Sequence, residues 1–280
     1  MDPFGRPQSR RRFGGARLLI ALVIAGFTLI SYWMKRDVNP TTGEVQRVDL
    51  SPEQEIALGL QAAPEMAQQH GGLYPDERIQ RFAKDIGQRL VSRSFAGKSP
   101  YQFDFHVLAD PETINAFALP GGQIFITAAL FDKFDTPGEL AGVFGHEIGH
   151  VIGRHGAEHM AKGALLQGLS TAAVIATYDP GDPSSRNSAA MAQMIGQLVN
   201  LKYGREDELE SDTFGVRIMA EAGYDPRGML RVMEILRDSA GGARQPEWFS
   251  THPNPENRLE VIQQAIDKEF PGGVPANLER

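Results

Sequence analysis

His146-Glu147-Ile148-Gly149-His150 is the stretch on which the reading of this chain turns. On an α-helix, positions i and i+4 lie on one face, so both imidazoles can reach a single metal ion. Glu147, one residue after the first histidine, can point to the metal's open side and take a proton from a bound water. The flanks argue that the pentad is helical. Thr136-Pro137-Gly138-Glu139 is a capping box with proline at the first helical position. Leu140, Val143, Phe144, Ile148 and Val151 then keep an apolar stripe at helical spacing up to Gly153. The bland reading, two polar residues on a solvated helix face, fits that apolar backing less well.

A catalytic zinc takes three protein ligands and keeps one position open. Two residues compete for the third place. His155 is near in sequence, and His150-Val151-Ile152-Gly153 begins a His-x-x-Gly-x-x-His pattern whose last histidine is replaced by Gly156. On a continuing helix, five residues past His150 is about 500°, some 140° off the metal face. Glu208 is favoured: it lies in Glu208-Leu209-Glu210-Ser211-Asp212 on a helix expected from about Arg205 to Ala222, stopped by Gly223. Asp212, one turn on, could accept the free N–H of a ligating histidine. The plain alternative is an acidic, solvated helix face.

Composition sets the frame. The 280 residues are 41% hydrophobic and 22% charged, enough for one sizeable core or two small ones. Net charge is −7, unevenly spread: residues 1–36 hold seven Lys/Arg against Asp2, so the remainder carries −13. An acidic body argues against nucleic acid as a partner. With no cysteine, neither disulfides nor thiolate metal sites are possible.

Arg6, Arg10, Arg11, Arg12 and Arg17 precede an uncharged, mostly apolar run, 18–34, which Lys35-Arg36 follow. A helix of that length spans about 26 Å, slightly short of a bilayer core of about 30 Å. Tyr32 and Trp33 stand where interfacial aromatics sit. The charge bias predicts an uncleaved single-span anchor in the lipid bilayer, with the N-terminus inside and the acidic body exported. A cleaved signal peptide is the rival, but no Ala-x-Ala-like site follows the run. Ser9-Arg10-Arg11-Arg12-Phe13 matches a twin-arginine signal incompletely. The expected division is therefore an anchor over 1–36, a turn-rich linker over 37–50 and a body over 51–280.

Within the body, Ser51-Pro52-Glu53-Gln54 is a second capping box, opening a helix to about Gln69 with His70 at its end. A third helix is expected from Pro75 to Arg93. Tyr101, Phe103, Phe105 and Val107 alternate with Gln102, Asp104 and His106 as a half-buried strand, with His106 on its solvated face. Residues 115–119 and 123–127 read as extended segments about the Pro120-Gly121-Gly122 turn. Such a hairpin can offer a strand edge to an extended peptide, so Asn115, Ala116, Phe117, Gly121 and Gly122 are candidate substrate contacts; otherwise it is an ordinary internal hairpin. After the pentad, 157–178 and 188–203 are apolar but interrupted by charged and amide residues, so they read as a packed helical pair. The Pro/Gly/Ser-rich stretch between them reads as a lid loop, and Met160, Met191 and Met194 as core fillers.

Three blocks in order carry a resemblance: 115–122, 146–155 and Glu208-x-x-x-Asp212. Together they are similar to the zinc metallopeptidases that include HtpX-type heat-shock proteases, CaaX-prenyl proteases, BepA-type periplasmic proteases and OMA-type mitochondrial proteases, over roughly residues 51–270. The resemblance implies an α+β, mostly helical, gluzincin-like domain with a small β-sheet before the metal-binding helix. It implies one Zn2+ per chain on His146, His150 and Glu208, Glu147 as general base, and endopeptidase activity on polypeptide substrates. It also matches Thr251-His252-Pro253 and Arg258 to a late His-Pro and arginine, so that His252 either stabilises the oxyanion or blocks the open zinc position. On the residues alone, His252 is a turn residue and Arg258 a helix-surface residue. The chain departs from these relatives in one clear span rather than several, and in ending soon after the catalytic body with no tetratricopeptide helices.

The expected function is a membrane-anchored zinc endopeptidase acting on misfolded or unassembled envelope or membrane proteins. It is placed in a bacterial inner membrane facing the periplasm, with the mitochondrial inner membrane facing the intermembrane space as the alternative. The rival from another class is a tethered, chaperone-like module whose zinc site is closed by a fourth ligand. A zinc hydrolase of non-peptide bonds is the third reading, disfavoured by the hairpin.

Overall fold

The computed structural model describes residues 13–177, 203–241 and 245–280. Helix α1 (Phe13–Met34) contains the apolar run, and its Gly15–Met34 segment is the one helix among the described residues long and apolar enough to cross a bilayer. The described residues fall into two compact units. One holds α1 and α6 (His155–Thr177) from Met160 onward. Within it, Thr28 packs closely on Gly168. Met160 is not a core filler: it is 45% exposed while Ala157 and Ala161 turn the buried face of α6 inward. The 188–203 partner stretch, the loop at 179–185, Met191 and Met194 fall outside the described residues, apart from Tyr203.

The other unit begins at Arg36. Its first piece, expected as a linker, is a hairpin of β1 (Asp37–Val38) and β2 (Val45–Gln46). It is ordered by buried amides. Asn39 Oδ1 accepts the N–H groups of Thr41 and Thr42 at 2.8 and 3.1 Å, an Asx turn. Asn39 Nδ2 donates to the Ile152 carbonyl at 2.7 Å, and Gln46 Nε2 donates to the Gly153 carbonyl. The hairpin thus satisfies carbonyls at a helix end that has no partners of its own.

Helix α2 (Pro52–Gln69) starts with the expected reciprocal cap between Ser51 and Gln54 and ends at His70. Helix α3 (Glu77–Ser92) is capped by Asp76. A three-stranded sheet follows, in the order β3 (Asp104–Leu108), β5 (Gln123–Thr127), β4 (Ala116–Leu119). Strand β3 starts later than the alternation suggested, because its parallel partner begins only at Gln123, opposite Asp104. Strand β4 pairs antiparallel with β5 and is the sheet's edge.

After the short α4 (Ala128–Phe131) comes α5 (Pro137–Ile152), capped by Thr136 and Glu139 and buried on nearly every side. Helix α7 (Arg205–Ala222) ends at Gly223, whose φ of +82° favours glycine. It crosses α5 at small residues: a Cβ on Gly149 would stand 2.9 Å from the Ser211 backbone, and one on Gly145 3.2 Å from Gly215. Helices α8 (Arg227–Ala240), α9 (Trp248–Thr251) and α10 (Arg258–Glu269) complete the packing. The result is the expected α+β, mostly helical, gluzincin-like arrangement, with a small sheet leading into α5.

Candidate metal centre

The α5–α7 crossing brings the two histidines and the late carboxylate together. His146 Nε2 and His150 Nε2 lie 3.1 Å apart. Glu208 Oε2 is 3.5 Å from His146 Nε2, and Oε1 is 3.3 Å from His150 Nε2. From α9, His252 Nδ1 approaches within 3.0 Å of Glu208 Oε1 and 3.4 Å of His146 Nε2. These four residues form a potential metal-binding group whose donor atoms lie within 4.8 Å of one another, all buried. Donors bound tetrahedrally at about 2.0–2.1 Å stand about 3.3 Å apart, which is the spacing found.

Hydrogen bonding points the same way. Asp212 Oδ1 stands 2.8 Å from His146 Nδ1. With the His146 proton donated there, Nε2 presents a lone pair to the cluster. Both oxygens of Glu147 and Nε2 of His252 are buried with no hydrogen-bond partner. Buried lone pairs facing one another cost free energy unless a cation sits among them. Charge agrees. Glu147, Glu208 and Asp212 oppose one guanidinium, that of Arg258, leaving two negative charges for a divalent ion to neutralise when the imidazoles are neutral.

Arg258, at the start of α10, is buried rather than on the helix surface. Its Nε and Nη2 fork onto Asp212 at 2.7 and 2.9 Å, and Nη1 lies 3.1 Å from Glu208 Oε2. These ionic contacts set the protonation tendencies. Burial pushes the Glu147 carboxyl up, against the pull of His252 and His146. Burial would also raise Glu208 and Asp212, but His252 and its histidine neighbours hold Glu208 well below the usual range, and Arg258 with His146 lowers Asp212. Burial opposes charge on His146, yet Asp212 and Glu208 lift it to about 9. His150 is held low by burial. The cluster attracts positive charge.

His155 is not among the four donors; Glu208 stands where the third was expected. Of the expected substrate contacts, Asn115 and Ala116 are buried, and Asn115 reaches Glu247. Gly121 and Gly122 differ from expectation: they are buried with φ of +83° and +109°, and a Cβ on Gly121 would lie 2.3 Å from Ile56 Cα. Gly121 lets the turn pack on α2, and Gly122 lets it pack on the Gln102–Phe103 backbone that leads into β3. The accessible part of β4 and its turn is Phe117 to Pro120. A small pocket lined by Ala118, Leu119 and Pro120 continues past His150 and Tyr203.

Two residues at the centre carry no motif in the sequence. Tyr203 stacks on His150 with ring centroids 4.0 Å apart, and burial raises its phenol. Trp248 stacks on His252 at 4.2 Å. Its spacing of four residues from His252 is a local signal; nothing around Tyr203 announces its place.

Residues 77–266 match the family described as Peptidase family M48. Among curated proteins, the chain is similar to the beta-barrel assembly-enhancing proteases of Yersinia pestis and of Escherichia coli strain K12. Each is 31% identical, over 91% and 90% of this chain respectively and 52% of the relative. It is also similar to the mitochondrial metalloendopeptidase OMA1 of Homo sapiens, 28% identical over 85% of this chain and 47% of the relative. The chain thus spans about half the length of the curated relatives it matches.

Proposed function

The chain belongs to peptidase family M48, and from that premise we propose that it is a zinc-dependent endopeptidase, anchored in a membrane by α1 with its body exported. One observation carries the reading: two imidazoles of α5 and a carboxylate of α7 converge at 3.1–3.5 Å, with the unbonded Glu147 carboxylate on the same helix. Imidazole and carboxylate donors at tetrahedral spacing suit zinc.

His146, His150 and Glu208 would hold the zinc, which would supply Lewis acidity toward a scissile carbonyl and a water. Glu147 accepts the proton of the attacking water and delivers it to the leaving amine. Asp212 orients His146 through its Nδ1, and Arg258 balances Asp212 and Glu208. His252 Nε2, 3.6 Å from Glu147 Oε1, faces the reacting region and can steady negative charge on the substrate oxygen. An extended polypeptide is held along the free edge of β4 around Phe117 to Pro120. Residues 51–280 form the catalytic body. The substrates are misfolded or unassembled envelope proteins at a bacterial inner membrane. That placement is supported by the arginine-rich N-terminus and by relatives named for enhancing beta-barrel assembly. A relative named as mitochondrial keeps the intermembrane space as the alternative.

A second reading has its own support. His252 Nδ1 stands within the donor set, and the donors are closed off from solvent, as in a four-ligand site that does not catalyse. On that reading the chain is a tethered zinc-binding module. Digestion of unfolded casein by the detergent-solubilised chain, with and without chelator, separates the two. The endopeptidase reading expects metal-dependent cleavage and about one zinc per chain. Glu147→Gln is expected to keep its metal and lose cleavage by about 10²–10⁴-fold. Cleavage that survives in Glu147→Gln removes that residue from its role, and cleavage absent from the wild-type chain and from His252→Ala favours the closed module.

A further inference from the structure

We propose that His155, backed by Glu210, is a positioning residue for His150, and that the left-handed elbow at Arg154 is what brings it there. This rests on the reading of His150 as a metal ligand. A helix continued past His150 would carry His155 away from the metal face. Instead α5 stops at Ile152, and Arg154 takes φ +57°, the one non-glycine residue with positive φ among the described residues. That conformation is strained for a residue with a Cβ and persists only where its surroundings impose it.

The surroundings here are specific. The buried Arg154 guanidinium donates from Nε to Glu55 at 2.8 Å, from Nη1 to Asp37 at 2.7 Å and from Nη2 to the Leu50 carbonyl at 2.6 Å. The β1–β2 hairpin and α2 therefore clamp the elbow. Helix α6 restarts at His155, and its ring returns behind His150, with centroids 5.0 Å apart.

His150 Nδ1 lies 2.9 Å from His155 Nδ1, and His155 Nε2 lies 2.9 Å from Glu210 Oε2. One proton must lie between the two Nδ1 atoms, since two bare or two protonated nitrogens at that distance repel. If His150 owns it, His150 Nε2 is free to bind metal, and the proton of His155 sits on Nε2, donated to Glu210. If His155 owned it, neutral His150 would carry its proton on Nε2, turned at Glu208 and His146, and Glu210 would face a bare nitrogen. With both imidazoles neutral, only the first arrangement satisfies His150, His155 and Glu210 together. Ser211 Oγ, 3.2 Å from His155 Nδ1, flanks the same atom. His146 is oriented by a carboxylate directly; His150 is oriented by a carboxylate acting through a second imidazole.

The test compares the detergent-solubilised full chain with His155→Phe, His155→Asn and Glu210→Gln. The measurements are the rate of zinc transfer to a chromogenic chelator, the visible absorption bands of the cobalt-loaded protein and the melting of the metal-free form. His155→Phe is expected to release zinc about 10–100-fold faster, with shifted cobalt bands. The carboxamide oxygen of His155→Asn can accept the same N–H, so it should recover most of that loss. Glu210→Gln is expected to fall between wild type and His155→Phe. Metal-free melting should be alike in all four. Unchanged release and bands in His155→Phe, or no rescue by His155→Asn, would overturn the positioning role and leave the metal centre standing. A wild-type chain that takes up no zinc would overturn both.

Discussion

Arg258 shows how much a single side chain decides at this centre. A guanidinium in a fixed fork can bind Asp212 with two nitrogens and still reach Glu208 with the third, which a lysine cannot do. Removing it leaves Asp212 and Glu208 buried without the guanidinium that bridges them. Breaking a buried pair from one side costs about 3–5 kcal/mol. Arg258→Ala, made in the Glu147→Gln chain to prevent self-cleavage, should therefore lower the unfolding free energy by that amount, read as a lower urea midpoint, and Arg258→Lys should recover less than half. A midpoint unmoved by Arg258→Ala would mean that the fork adds nothing to stability. Its partners were legible to different degrees. His146, Glu147 and His150 are local, set by one helix period, and Asp212 follows from Glu208 by one turn. Arg258 and His252 have no periodic relation to the pentad, so only the family likeness pointed to them.

The crossing of α5 and α7 fixes whether those residues meet. Gly149 lies between the two histidine turns, against the backbone of Ser211. Two effects oppose each other in Gly149→Ala. Alanine favours a helix by about 1 kcal/mol over glycine. The added Cβ, however, would stand 2.9 Å from Ser211 Cα and its carbonyl oxygen, backbone atoms that cannot swing aside. Overpacking of that kind costs about 1–3 kcal/mol, so the clash wins. Gly149→Ala should weaken zinc binding while helix content by circular dichroism stays the same, and Gly149→Leu should abolish zinc uptake. Zinc binding at wild-type strength in both would show that the crossing does not set the metal geometry. The sequence places both helices within two residues of their observed ends, because caps and periodicity are local. It does not show that Gly145 packs on Gly215 and Gly149 on Ser211, or that β3 lies parallel to β5. Contacts between distant segments leave no local pattern. The same holds for residues 37–50: turn residues read as a linker until Asn39 and Gln46 are seen to satisfy the end of α5.

At the scale of the molecule, the centre is the convergence of α5, α7, α9 and α10, so an ion bound there would tie them together. Three acidic groups and one guanidinium share a space closed to water, and a divalent cation removes their mutual repulsion. A ligand that binds only the folded state stabilises by RT ln(1 + [L]/Kd), about 4 kcal/mol at a thousandfold excess over Kd. For a body of this size each kcal/mol moves the midpoint by roughly 2–4 °C, so stripping zinc should lower Tm by about 8–16 °C. The comparison belongs to the full chain in one detergent, where any contribution of α1 is common to both arms and cancels. On the proposed roles, Glu208 as ligand and Glu147 as base, the shift should vanish in Glu208→Gln and persist in Glu147→Gln. A shift that vanished in both would place Glu147 among the ligands. One that survived in Glu208→Gln would mean that the histidines hold the ion without α7, and that the helix crossing is not what the metal secures.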